Sequence, residues 1–212
     1  MTERASAASG RRGENVLSVL FVCTGNICRS PYAQAIAVAR ATAAGAALTF
    51  ASAGTQARDR MPMDPRTVAL LARADVPVPA HQARLLREEF VSMADLIVTM
   101  TGEQRSAVVR AWPDALRRTF TIAELPELAD ASGATPDGSA PIDVYLDALR
   151  AARPRLRDSV TARVDVADPY GGPAAGYAAM AEHLGPLVER LVDLLANRTT
   201  RPDAGGVSPR RP

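Results

Sequence analysis

Cys23 and Arg29 stand six positions apart in the segment Phe21-Val22-Cys23-Thr24-Gly25-Asn26-Ile27-Cys28-Arg29-Ser30-Pro31-Tyr32, and their side chains can share one piece of chemistry. A cysteine thiolate is a strong nucleophile. An arginine presents a planar fork matched to two oxygens of an oxyanion, where a lysine would offer only a point charge. Between them, Gly25 tolerates positive φ and Asn26 is the next most tolerant residue type, so the chain can curl and turn its amides inward. Such a cup would hold an oxyanion over Cys23, and its positive field favours thiolate over thiol. Ser30 can donate a hydrogen bond to the same sulfur.

The elements that must position this cup lie on either side of it. Residues 16 to 22 are nearly continuous Val, Leu and Phe, which predicts a strand of a parallel sheet covered on both faces, with Cys23 at its carboxyl end. Ser30 reads as a helix N-cap and Pro31 as the first helical residue, and the Ala-rich sequence behind them extends the helix to about Ala44. A strand, a short loop and a helix N-terminus make an anion site, because unpaired N–H groups and the helix dipole point into the loop. A phosphate fits there.

Further along, residues 48–52, 95–100 and 118–122 read as strands, and 65–74 and 101–111 as helices, the second with Thr101 as cap and Glu103 in its first turn. Alternating strand and helix implies a parallel sheet with helices on both faces. Residues 131–141 cluster Gly, Ser, Pro and Asp and read as a loop leading to a helix over 142–153. The last helix spaces Tyr177, Met180, Leu184, Leu187, Leu191 and Leu194 as a packing stripe, with Pro186 expected to kink or split it. His183 reads as an ordinary helix residue.

At 212 residues and 47% hydrophobic content the chain suits one core better than two. Residues 1–15 and 198–212, rich in Ser, Gly, Pro, Ala and Arg, read as tails around a domain spanning 16–197. The net charge is +2, and all 25 basic residues are arginine. Arginine clusters at 11–12, 117–118 and 150–157 lack interleaved aromatics, so solvated faces are expected and no nucleic-acid partner. Two cysteines cannot build a secreted disulfide framework. A reducing cytoplasm is the expected compartment, and no segment reads as a signal peptide or membrane span. No Cys/His ligand spacing suggests a metal, and Arg29 with the loop amides would supply the field a cation otherwise provides. No metal and no cofactor are expected.

Val22 to Pro31 resembles the signature of the low-molecular-weight protein tyrosine phosphatases, a Cys followed by five residues and then Arg and Ser. Ser52-Ala53-Gly54-Thr55, His81-Gln82-Ala83-Arg84 and Asp168-Pro169-Tyr170 resemble further family segments in the expected order. The resemblance covers roughly residues 16 to 112 and 164 to 196. It implies a three-layer α/β fold of flavodoxin-like type, a four-stranded parallel sheet with helices on both faces, carrying a helical insertion at about 131–160. It further implies hydrolysis of phosphotyrosine or another aryl phosphate through a cysteinyl phosphate, with Cys23 as nucleophile, Arg29 as phosphate clamp and Asp168 as general acid and base. Thr24, Gly25, Asn26, Ile27, Cys28 and Ser30 would bind phosphate, Tyr170 would line the pocket wall, and Ser52 and His81 would support the loop through Asn26. The implied partners are a phosphotyrosine-bearing protein or a small aryl phosphate, and possible partners extend to a bacterial tyrosine kinase.

A group such as Asp168 is wanted because a phenol, with a pKa near ~10, leaves far more readily if protonated as its bond breaks. Pro169 pushes Asp168 into an extended or turn conformation. An Asp-Pro pair is by itself a common turn former, and Asp165 is a nearby rival without the Pro-Tyr context. Cys28 reads equally as a disulfide partner protecting Cys23 from irreversible oxidation and as a small buried hydrophobe. Residues 56 to 60, Gln-Ala-Arg-Asp-Arg, carry no aromatic where family members often place the other pocket wall. An arginine there suits acidic peptides or a phosphorylated non-protein ligand. Two alternatives stand beside hydrolysis: an arsenate reductase using an external thiol, since no cysteine follows Cys28, and a phosphate-binding module without turnover.

Overall fold

The computed structural model describes residues 16–135, 138–156 and 164–199. The expected tail at 1–15, most of that at 198–212, and residues 136–137 and 157–163 of the expected insertion lie outside the described residues. Residues 198 and 199, read as tail, form the last turn of the final helix.

Four strands, β1 (Leu17–Cys23), β2 (Leu48–Gly54), β3 (Leu96–Thr99) and β4 (Thr119–Thr121), form one parallel sheet in the order β2-β1-β3-β4. The fold is α/β and flavodoxin-like, as expected. In β1 alternate residues serve opposite faces. Val19, Phe21 and Cys23 join one buried cluster with Leu96, Val98 and Phe120, while Leu20 and Val22 join another with Ala53 and Ile97. This is the near-continuous apolar run of a strand with no wet face. Because β2 lies on one side of β1 and β3 on the other, the chain reverses direction across the sheet at β1. The crevice at its carboxyl end is where open α/β sheets bind ligands.

The first cluster is closed by α1 (Arg29–Ala44), α2 (Pro65–Arg73), α5 (Glu124–Ser132), α6 (Ile142–Ala152) and α7 (Ala174–Thr199). The second is closed by α3 (Glu88–Met93), α4 (Gly102–Ala111) and the 3₁₀ turn Pro113–Arg118. Helices α3 and α5 were not legible in the sequence; α5 takes in residues 131 and 132, which read as the start of a loop.

α7 runs unbroken through Pro186 instead of splitting. Its buried stripe keeps Tyr177, Met180, Leu184 and Leu191 but continues through Val188, Val192 and Leu195, while Leu187 and Leu194 are only partly buried. In the expected insertion, α6 buries Tyr145, Leu146, Leu149 and Ala152 in the main core. It enlarges the core on the β4 side of the sheet and is not a lid over β1. Of the arginine clusters, 11–12 and residue 157 lie outside the described residues; in the other two, Arg117 pairs with Asp147 at 3.0 Å and Arg153 with Glu124 at 2.9 Å. Among the described residues no helix is long and apolar enough to cross a membrane.

Candidate active site

Cys23 ends β1, and the loop through Cys28 carries the chain into α1. The helix begins two residues earlier than read, at Arg29, with Cys28 in the N-cap position and no side-chain cap. Ser30 is therefore inside the first turn and its hydroxyl is free for another task. Ser30 Oγ lies 3.0 Å from Cys23 Sγ and accepts from Asn26 Nδ2 at 2.9 Å. With a lone pair taken by that amide, the hydroxyl proton is available to the sulfur. The Asn26 backbone N–H donates to the same sulfur at 3.2 Å.

The sharp bend of the loop falls on Asn26, whose φ is 54°, and not on Gly25, whose φ is outside the left-handed region. A non-glycine residue holds such a conformation when its surroundings over-determine it. Asn26 is fully buried, and every hydrogen-bonding group of its side chain is used. Nδ2 also donates to Ser52 Oγ at 2.9 Å, and Oδ1 accepts from the Arg84 N–H at 3.0 Å. His81 Nε2 lies 2.7 Å from the Asn26 carbonyl oxygen. A carbonyl can only accept, so Nε2 carries the proton in this tautomer. Burial pushes the His81 pKa below the ordinary imidazole value, against the opposing effect of that bond.

A second layer fixes these supports. Ser52 Oγ donates to Gln34 Oε1 at 2.7 Å, Gln34 Nε2 donates to the Phe50 carbonyl at 3.2 Å, and Arg84 Nε donates to the Ser52 carbonyl at 2.7 Å. At Gly54 a side chain is sterically impossible without movement: a Cβ would come within 2.5 Å of the Thr24 carbonyl and 2.9 Å of the Asn26 nitrogen. The end of β2 is thus pressed against the loop, where the N–H groups of Thr55 and Gln56 bond the carbonyls of Cys23 and Thr24, both at 2.9 Å.

Arg29 is 3% exposed. Its Nη1 donates to the Val166 carbonyl at 3.1 Å, and its Nη2 reaches Thr24 Oγ1 at 3.3 Å and pairs with Asp168 Oδ2. Its Nε is buried and meets no protein acceptor. A buried donor without a partner is costly unless something else takes the bond. The amide N–H groups of Gly25, Ile27 and Cys28 likewise meet no protein acceptor among the described residues. The residues that carry these donors line one cavity of about 290 Å³, with Cys23, Thr24, Gly25, Ile27, Cys28 and Arg29 contributed by the loop and the start of α1. Asp168, Tyr170, Gln56, Arg58 and Met61 form its walls.

The structure therefore brings Cys23, Arg29, Asp168 and Tyr170 to one cavity. Asn26 and Ser30, grouped with the phosphate-binding residues, do not line it; like Ser52 and His81, they hold the loop from behind. Asp165, the rival carboxylate, accepts from the Gly102 N–H at 2.8 Å at the start of α4 and is committed there. Asp168 has no such anchor. Its Oδ1 accepts from the Tyr170 N–H at 3.2 Å, the self-contact of an Asx turn. The residues that sequence reasoning missed are Gln34, Arg84 and Gln104. A glutamine on the Ala-rich face of α1 was the available signal for Gln34.

Cys28 has a different environment. Burial, and next the carboxylate of Asp64, push its thiol up to about 12. Asp64 in turn accepts from the Tyr177 hydroxyl at 3.0 Å. Only a thiolate is readily alkylated. Iodoacetate at neutral pH is therefore expected to modify Cys23 and spare Cys28, with inorganic phosphate protecting, as read by peptide mass mapping. Equal labelling of both cysteines would contradict the assignment. Among the described residues no group of three or more His, Cys, Asp or Glu side chains is placed to hold a metal ion.

Comparison with known proteins matches this arrangement. The family model described as "Low molecular weight phosphotyrosine protein phosphatase" matches residues 18–135. The probable low molecular weight protein-tyrosine-phosphatase EpsP of Ralstonia nicotianae is 36% identical over 110 residues, 52% of this chain and 73% of that protein. A protein-arginine-phosphatase of Geobacillus stearothermophilus is 28% identical over 180 residues, 84% of this chain and 95% of that protein. Among solved structures, a low molecular weight protein tyrosine phosphatase from T. tengcongensis superposes with a TM-score of 0.64 at 30% identity, covering 84% of this chain and 98% of that one.

Proposed function

This chain belongs to the low molecular weight phosphotyrosine protein phosphatase family, and from that premise we propose that it hydrolyses phosphotyrosine, or a comparable aryl phosphate, through a covalent phosphocysteine. The observation that carries this reading is that Cys23 shares one cavity with Arg29, whose buried Nε has no protein partner, and with loop residues whose amides are free.

Cys23 attacks phosphorus in line with the departing phenol oxygen. Arg29, through Nε and Nη2, and the loop amides hold the three equatorial oxygens as charge redistributes. Asp168 gives its proton to the phenol oxygen as the P–O bond breaks, and the S–P bond forms. The Asp168 carboxylate then takes a proton from water as that water attacks phosphorus, which breaks the S–P bond and releases inorganic phosphate. Before the first step, Asp168 must leave Arg29, because the incoming phosphoryl oxygens claim the same Nη2. The compartment we propose with this chemistry is a reducing cytoplasm, where Cys23 stays reduced and able to form the thiolate.

A second reading has its own support, since the arginine-phosphatase relative aligns along most of this chain. The two substrates ask different things of the pocket. A phosphorylated guanidinium is cationic and wants a carboxylate beside it; a phenyl ring wants apolar walls. Here the cavity lining offers Ile27, Met61 and Tyr170, the nearby cation Arg58 has no acidic partner among the described residues, and the one carboxylate is on Arg29. This favours tyrosine. Phosphotyrosine and phosphoarginine peptides of one sequence, assayed side by side, are expected to differ at least tenfold in kcat/KM in favour of phosphotyrosine. The reverse order would assign the arginine activity, and arsenate reduction without release of phosphate from either peptide would remove hydrolysis altogether.

A further inference from the structure

Gln104 lies in the first turn of α4, is 5% exposed, and does not line the cavity. Its amide is nonetheless wired to the loop. Oε1 accepts from the Met100 N–H at 3.0 Å, and Nε2 donates to Thr24 Oγ1 at 3.1 Å. The Met100 N–H, shared between Oε1 and the Val22 carbonyl at 3.1 Å, is a donor only, so it turns the amide oxygen toward itself and leaves the NH₂ group for Thr24.

Counting bonds at Thr24 gives the consequence. A hydroxyl oxygen has two lone pairs and one proton. Gln104 Nε2 occupies one lone pair and Arg29 Nη2, at 3.3 Å, occupies the other. The proton is all that remains, and Thr24 lines the cavity. We propose that Gln104 is a positioning residue that makes the Thr24 hydroxyl an obligate donor to the phosphoryl oxygens while holding the Nη2 edge of Arg29 in register. The proposal rests on the phosphate-binding reading of the cavity. A glutamate at this place would accept from both Met100 and Thr24, turn the hydroxyl proton away from the cup and put a negative charge behind the anion.

The test compares wild type, Gln104→Glu, Thr24→Val and the double variant. Phosphate affinity is measured by calorimetry, which needs no turnover, and KM and kcat with a phosphotyrosine peptide. At pH 7.5 Gln104→Glu is expected to weaken phosphate binding and raise KM by about tenfold, the effect of one hydrogen bond to a charged group. kcat should change by less than about threefold, because the contact is made in ground and transition state alike. The deficit should narrow as pH falls and the introduced carboxyl is protonated, since a carboxylic acid can again donate to Thr24. In the Thr24→Val background the same change should cost less than it does alone. Unchanged phosphate affinity in Gln104→Glu, a deficit constant with pH, or full additivity in the double variant would each overturn the proposal. If wild type binds phosphate but does not hydrolyse the peptide, the proposed activity fails while the calorimetric test of Gln104 still reads out.

Discussion

Replacing Cys23 by serine is expected to lower phosphotyrosine turnover by roughly 10⁴-fold or more while phosphate binding survives. A serine hydroxyl is a far weaker nucleophile than a thiolate, and the loop that surrounds it is built to hold a soft anion. The sulfur receives the Asn26 N–H at 3.2 Å and the Ser30 hydroxyl at 3.0 Å, contacts that would stabilise a thiolate and do nothing to deprotonate an alcohol. Binding persists because the anion-holding groups, Arg29 and the loop amides, do not depend on the sulfur. Steady-state hydrolysis measured with phosphate calorimetry separates the two quantities. Loss of binding along with turnover would mean that the variant had collapsed the loop, and unchanged turnover would remove Cys23 from the reaction.

Asp168→Asn is expected to cut kcat for phosphotyrosine by about 10² to 10⁴, the usual worth of a positioned general acid. The loss should be much smaller for an aryl phosphate whose phenol is strongly acidic, because that leaving group departs without help. Equal losses for both substrates would take Asp168 out of the acid role. The ion pair between Asp168 and Arg29 adds a second, opposite expectation. Asp168 Oδ2 sits on Arg29 Nη2, so wild type carries its own competitor for the clamp. The asparagine variant, with a neutral amide there, should bind phosphate more tightly than wild type even as it turns over more slowly.

How far the sequence could be read depended on whether a residue's role was local. The strand before Cys23, the Thr101 cap of α4 and the helix after the loop are written in runs and neighbouring residue types, and the structure has them within a residue or two. Ser30 carried two readings, N-cap and partner of the Cys23 sulfur, which look identical in one dimension; the helix start at Arg29 removes the first, and the contact with the sulfur bears out the second. Gly25 and Asn26 both tolerate a bend, and only the set of partners around Asn26 decides which takes it. Asp165 and Asp168, three positions apart, differ in whether a helix N-terminus claims the carboxylate. Gln104 left no trace in the sequence, since the residue it serves is 80 positions away. The six-residue α3 has no side-chain cap and is held by packing on the sheet, whereas α5 does carry local signals, the reciprocal Thr121 and Glu124 bonds at its start and Gly133 in the left-handed conformation at its end, which the sequence reading passed over.

α7 has a consequence for how the protein comes into being. It packs along α1, the helix that begins with Arg29, and supplies much of the cluster beneath the first face of the sheet. It also follows directly on the segment carrying Asp168 and Tyr170. During synthesis the Cys-to-Arg loop leaves the ribosome early, but the helix that packs along α1, and Asp168, the proposed acid, arrive more than 130 residues later. A nascent chain halted before α7 has the whole Cys-to-Arg loop and the sheet beneath α1, but lacks the long helix that packs along α1 and completes the cluster. Catalytic competence should therefore switch on late and abruptly during translation, keeping a reactive cysteine out of service until the chain is almost complete.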